Sequence, residues 1–121
     1  MPPGQADAAR SFYEGVLGIP ERGKPPHLAV RGGCWFETEH VRIHLGVEPD
    51  FRPARKAHPA LLCDDLEPAA DALRAAGHSV EPDQPLPGYH RLYLSDPFGN
   101  RIELREALHD PDGPSGASPR P

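Results

Sequence analysis

The chain has 121 residues, a formal net charge of −5 and 26% charged residues, which suits one domain with a single modest core and excludes two independent ones. Its 13 basic residues form no long run, so the electrostatic footprint of a nucleic-acid binder is missing. No apolar stretch nears the roughly 20 residues of a spanning helix, and the N-terminus lacks a basic segment followed by an apolar one. The expectation is a cytoplasmic, soluble protein with neither nucleic-acid nor membrane partners.

Residues 5–17, QADAARSFYEGVL, place Ala9, Phe12, Tyr13, Val16 and Leu17 at helical spacing, and Gly18-Ile19-Pro20 supplies a C′ glycine, an apolar contact and a stop. This predicts an amphipathic helix. Short strands are expected at 27–31, 34–38 and 41–47, divided by Gly32-Gly33 and by Thr38-Glu39-His40. In the last, Val41, Ile43, Leu45 and Val47 face one way and Arg42, His44 and Gly46 the other.

Beyond the loop EPDFRPARKA, a strand is expected at HPALLC, residues 58–63, followed by a helix from Leu66 to Ala76. Asp65 is placed to cap that helix, Pro68 is tolerated in its first turn, and Gly77 ends it. Strands at 79–82, 90–95 and 101–106 follow, the last two joined by a type I turn with Asp96, Pro97 and Gly99 at its first, second and fourth positions. The folded part is expected to be one domain ending at residue 107. The Pro, Gly and Ser-rich tail, 108–121, is expected to be disordered. Cys34 and Cys63 lie in apolar strand contexts without CxxC spacing, which fits reduced thiols better than a disulfide or zinc site.

The second half thus reads strand, helix, strand, strand, strand, and the first half the same without its opening strand. Two explanations stand: the true start lies upstream, or the protein is shortened. The first is favoured, because MPPGQADAARSFY reads as a strand-to-helix connection and a missing strand leaves its neighbour's backbone groups exposed. An in-frame upstream segment encoding an alternating strand with a histidine is expected.

Three polar residues, His44, His58 and Glu103, sit in otherwise apolar strands on the face opposite the helix-packing side chains. Two imidazoles and a carboxylate suit a divalent Fe, Mn, Ni, Co or Zn ion. Each residue also has an ordinary reading. His44 and His58 would be hydrogen-bonded histidines, and Glu103, between Arg101 and Arg105, a salt-bridged edge carboxylate. His27, His40, His78, His90 and His109 are read as surface residues. Trp35, Tyr89 and Tyr93 are pocket or core aromatics. Arg52, Arg55 and Lys56 form a solvated loop that would alternatively attract an anionic substrate.

SFYEGVLGIP, HPALLCDDLEPAADALRAAGHSV and DPFGNRIELRE together resemble the glyoxalase/bleomycin-resistance/extradiol-dioxygenase proteins, the vicinal oxygen chelate superfamily, over residues 5–107. The resemblance implies an α+β fold of paired βαβββ modules, a curved mixed sheet cup and a homodimer. It implies metal ligands on the first and last strand of each module, with His58 and Glu103 in the second module. His44 stands where the lactoylglutathione lyases of this family carry glutamate, which counts against that activity. A metal-dependent lyase, isomerase or dioxygenase on a small-molecule substrate is implied, with Glu103 also moving a proton; a thiol transferase on an antibiotic epoxide fits the same scaffold. The alternative is a metal-free small-molecule-binding resistance protein in which Trp35, Tyr93 and Phe51 supply an aromatic crevice.

Overall fold

The N-terminal helix forms in the computed structural model, which describes residues 1–82, 84 and 86–108, but it changes winding midway. Its first turn, α1 (Ala6–Ala9), is α-helical, and the rest is a π-helical segment, Arg10–Val16. The wider turns are seen in bonds such as Leu17 N to Phe12 O at 3.0 Å. π-Helical turns are rare and recur where a side chain must be aimed. Here consecutive Phe12 and Tyr13 are both buried, meeting edge to face at 4.9 Å, and Tyr13 stacks on Phe36 at 5.3 Å.

Residues 1–55 and 96–100 make one compact unit. Its sheet is antiparallel in the order β1 (Glu21–Arg22), β2 (Cys34–Glu37), β3 (Arg42–Leu45). The strand expected at 27–31 is instead a helical turn, α2 (Pro26–Ala29). Pro26 stands at its first position, where the fixed φ favours helix and the absent N–H costs nothing. Two-residue β1 is too short to show any period, so pattern reading misses it. Gly33 has a φ of +87°, and a Cβ there would meet Leu45 O at 2.2 Å, so only glycine lets β2 begin this close to the end of β3. Met1 is buried beside the residues after β3. Its amino group donates to Gly46 O at 2.7 Å and its carbonyl accepts from Glu48 N at 3.0 Å.

The same unit holds the predicted turn, with Gly99 N donating to Asp96 O at 3.1 Å. The Asp96 carboxylate is buried and accepts four hydrogen bonds: from Phe98 N (2.9 Å), Asn100 N (2.8 Å), Asn100 Nδ2 (2.8 Å) and Tyr13 Oη (2.6 Å). Burial first, then the bond to Asp96 and its charge, push the Tyr13 hydroxyl far above its ordinary pKa.

The second unit runs through residues 56–95 and the strand starting at Arg101. Its elements are β4 (Ala60–Leu62), α3 (Leu66–Ala75), β5 (Val80–Pro82), β6 (Tyr89–Ser95) and β7 (Arg101–Ala107). The sheet order is β4-β7-β6-β5, with β4 parallel to β7 and the other pairs antiparallel. Leu92, Leu94, Ile102 and Leu104 fill one face, and Ala70 and Leu73 of α3 are buried with them. Gly77, at φ +88°, ends α3 as expected, with His78 N donating to Leu73 O at 2.9 Å.

The start of α3 corrects the sequence reading. Asp65 holds the cap position without a side-chain hydrogen bond. Glu106, on β7, does that work instead, accepting from Leu66 N at 2.6 Å. A carboxylate from another element satisfies the first helical N–H and complements the helix dipole as a local cap would. The result is a mixed α+β fold with two sheets. Residues 109–121 of the expected tail, His109 among them, lie outside the described residues.

Candidate functional site

Glu103 lies in β7, between β4 and β6, so it is not on a sheet edge. Strand alternation sends it to the face opposite Ile102 and Leu104, and its side chain is 1% exposed. The four-residue turn sets the hairpin register, which places Tyr93 directly opposite Glu103 and Arg91 directly opposite Arg105. Arg105 Nε donates to Oε2 of Glu103, and Arg91 Nη1 reaches Oε1 at 3.4 Å. Burial alone would raise the Glu103 carboxyl. Hydrogen bonds from Arg105, His58 and Tyr93 outweigh that, and its pKa is held below the ordinary value.

His58 approaches the same carboxylate because Pro59 O accepts from Glu103 N at 2.9 Å, aligning the approach to β4 beside β7. Its Nε2 is 3.1 Å from Glu103 Oε1 and its Nδ1 is 2.8 Å from Lys56 O. A carbonyl oxygen only accepts, so Nδ1 carries a proton. In the neutral ring Nε2 is then a lone pair aimed at a carboxylate. A cation shared by the two groups would suit that arrangement. A histidine whose Nδ1–H is held by a backbone carbonyl is the usual orientation of a metal ligand. Imidazole nitrogen with carboxylate oxygen suits the divalent ions expected from the sequence. Those residues fit a metal, with the qualification that both Glu103 oxygens also serve arginines.

His44 belongs to the other unit. Its ring stacks on Trp35 at 4.0 Å and 6°, and its Nε2 is 2.6 Å from Glu37 Oε2. Thus the structure joins His58 to Glu103 and pairs His44 with a carboxylate that pattern reading passes over. Among the described residues no group of three or more His, Cys, Asp or Glu stands together as a metal cage. Tyr93 is buried on the Glu103 face, its ring edge-on to His58 at 4.9 Å. Arg52, Arg55 and Lys56 are exposed. Arg91 is the residue the sequence reading misses. The signal was available: counting back from the Asp96 turn puts Tyr89, Arg91 and Tyr93 on the face of Glu103.

Both cysteines are free. Burial, then the carboxylates of Glu106, Asp64 and Asp65, push the Cys63 thiol up to about 11. Only the thiolate attacks an alkylating agent. Iodoacetamide at pH 8 should therefore modify Cys63 roughly 100-fold more slowly than a cysteine in an unstructured peptide. Mass spectrometry of the Cys63 peptide over time checks this, and equal rates would refute it.

The sequence profile of the Glyoxalase/Bleomycin resistance protein/Dioxygenase superfamily matches residues 1–104. A crystal structure of a glyoxalase-type protein from Bacillus anthracis shares 42% identity, covers 89% of this chain and 88% of that one, and superposes with a TM-score of 0.84. TnmS3, an antibiotic-binding protein from a Streptomyces species, shares the fold at 22% identity, with 89% and 91% of the two chains covered and a TM-score of 0.68. So does FosX, a fosfomycin resistance protein from Listeria monocytogenes, at 12% identity, with 91% and 88% covered and a TM-score of 0.68. No curated protein sequence matches the chain. Among the described residues no helix is long and apolar enough to cross a membrane. With the profile spanning nearly the whole described chain and the two-sheet fold agreeing with it, the chain belongs to the Glyoxalase/Bleomycin resistance protein/Dioxygenase superfamily.

Proposed function

We propose that this chain is a metal-dependent enzyme acting on a small molecule, a lyase, isomerase or dioxygenase working as a cytoplasmic homodimer. One observation carries the reading: His58 is held by the Lys56 carbonyl with its Nε2 aimed at the buried Glu103 carboxylate. His58 and Glu103 would hold the ion, and His44 is proposed as a further ligand. A bound divalent ion would supply Lewis-acid polarisation of substrate oxygen. The chain's own part is to orient His58 through Lys56 O, to keep Glu103 ionised and, through that carboxylate, to move a proton.

Metal analysis tests this. After loading with Fe(II), Mn, Ni, Co or Zn and desalting, the chain should retain about one equivalent of one of these ions. His58→Ala and Glu103→Ala should each weaken retention by about tenfold or more. A wild-type chain that stays empty with every ion would sink the metal reading.

A second reading has its own observation. Arg91 and Arg105 both donate to Glu103, which already balances its charge without a metal. This favours a metal-free small-molecule-binding protein with Tyr93 lining the ligand, as TnmS3 is described as binding an antibiotic.

A further inference from the structure

The two oxygens of Glu103 are held differently. Oε2 accepts from Arg105 Nε. Arg105 lies two residues along β7 on the same face, with its guanidinium 5.3 Å from the centre of the Tyr89 ring. Oε1 stands 3.1 Å from His58 Nε2 and 3.4 Å from Arg91 Nη1. The longer contact falls outside the roughly 2.7–3.2 Å of a well-formed N–H···O bond. The same Nη1 is nearer to Tyr93 Oη, at 3.2 Å, and Arg91 Nε donates to Gln84 O at 3.1 Å. Arg91 is therefore anchored without Glu103, and giving up Oε1 leaves both of those bonds in place. Tyr93 also hydrogen-bonds the carboxylate.

The separation of His58 from Glu103 carries a second meaning. Two ligand atoms each roughly 2.1 Å from one ion, at the roughly 90–110° of octahedral or tetrahedral sites, lie about 3.0–3.4 Å from each other. His58 Nε2 and Glu103 Oε1 already stand at such a distance, 3.1 Å. Each is also fixed from behind, His58 by Lys56 O at 2.8 Å and Glu103 by Arg105 on Oε2. What opposes an ion here is Arg91. Its side chain is only 16% exposed and its Nη1 reaches Oε1, so its charge repels a divalent ion at that oxygen with little screening by water.

We propose that the two arginines on Glu103 act in opposite senses toward the ion: Arg105 is a positioning residue that fixes Oε2 and turns Oε1 to His58, whereas Arg91 competes with the ion for Oε1. This rests on the metal reading above and goes beyond it. In the metal-free chain Arg91 and Arg105 together balance the buried carboxylate. When an ion binds, Arg91 keeps Tyr93 Oη and Gln84 O and releases Oε1, while Arg105 stays. A carboxylate whose oxygens both serve arginines is in this way still able to take a metal.

Calorimetric titration of the EDTA-treated, desalted full chain with Co(II), with the visible absorption of the bound ion as a second signal, tests the proposal. Arg91→Gln should bind Co(II) about fivefold or more tightly than the wild type, and Arg91→Lys, which keeps the charge, should fall between the two. Arg91→Met is a second neutral variant with the same expected gain, and it serves if Arg91→Gln fails to fold. Arg105→Gln should bind about tenfold or more weakly, with a smaller loss in Arg105→Lys. Arg74→Gln, at an exposed position of α3, should change the affinity by under about twofold. A purely structural role predicts loss or no change in every variant, so the gain in the neutral Arg91 variants is the readout that separates the two. Wild-type binding with no gain in either neutral Arg91 variant, or with undiminished affinity in Arg105→Gln, overturns the proposal and leaves the metal reading standing. Absence of Co(II) binding in every chain also overturns it, and the retention test with the other ions then decides the metal reading separately.

Discussion

Replacing Asp96 with alanine is expected to lower the stability of the chain by roughly 3 kcal/mol, because buried donors are left without an acceptor and a charge-assisted network is lost. The residue is 4% exposed and accepts from two backbone N–H groups, the Asn100 amide and the Tyr13 hydroxyl. Water cannot replace these bonds at a buried site without repacking. Tyr13→Phe removes one donor and leaves the carboxylate three others, so its cost should be only about 1 kcal/mol. Urea unfolding of the two single variants and the double variant isolates the coupling, expected to be on the order of 1 kcal/mol in a double-mutant cycle. An Asp96→Ala chain within about 0.5 kcal/mol of wild type would show that the network contributes nothing net.

Glu103→Gln should have an effect of similar size and a distinctive pH dependence. Glutamine keeps the shape and removes the charge that stands between Arg91 and Arg105, leaving two opposed cations with a neutral neighbour. Losing one member of a buried ionic cluster costs about 3 kcal/mol or more. The sign of the pH effect follows from the lowered carboxyl pKa. The folded state binds its proton less readily than the unfolded state, so the stabilisation is full above the unfolded value of about 4.3. It is lost as the pH falls through the depressed folded value. The wild-type advantage over Glu103→Gln should therefore be constant from pH 7 to about 5.5 and close progressively below about 4.3. Denaturation of metal-free protein at stepped pH measures it. An advantage that instead shrinks toward alkaline pH would contradict the assigned direction.

The two effects have different origins in the chain. Asp96 is legible from the sequence as a turn residue, since Asp-Pro-x-Gly is local chemistry. Its four-fold role is not, because Tyr13 lies 83 residues away. Glu103 stands out in the sequence as a charge within an apolar strand, and the resemblance adds its link to His58. The partner Arg91 is reachable only by extending the hairpin register from the turn. His44 was expected with the other two residues on chemical grounds. The structure shows its local partners, Trp35 and Glu37, which follow from the β2–β3 register and not from any motif.

By itself the sequence determined whatever depends on neighbours a few residues apart. The helix carrying Phe12 and Tyr13, the body of α3 and its stop at Gly77, the type I turn, and the alternation that puts Arg101, Glu103 and Arg105 on one face all rest on period and turn chemistry. Tertiary structure decided the rest. It turned part of the first helix to π winding and capped α3 with Glu106 in place of Asp65. It also brought His58 to Glu103 across 45 residues. The capping of α3 by Glu106 and the meeting of His58 with Glu103 follow from the parallel pairing of β4 with β7, and a parallel pair joined through a helical crossover leaves no local period in the chain.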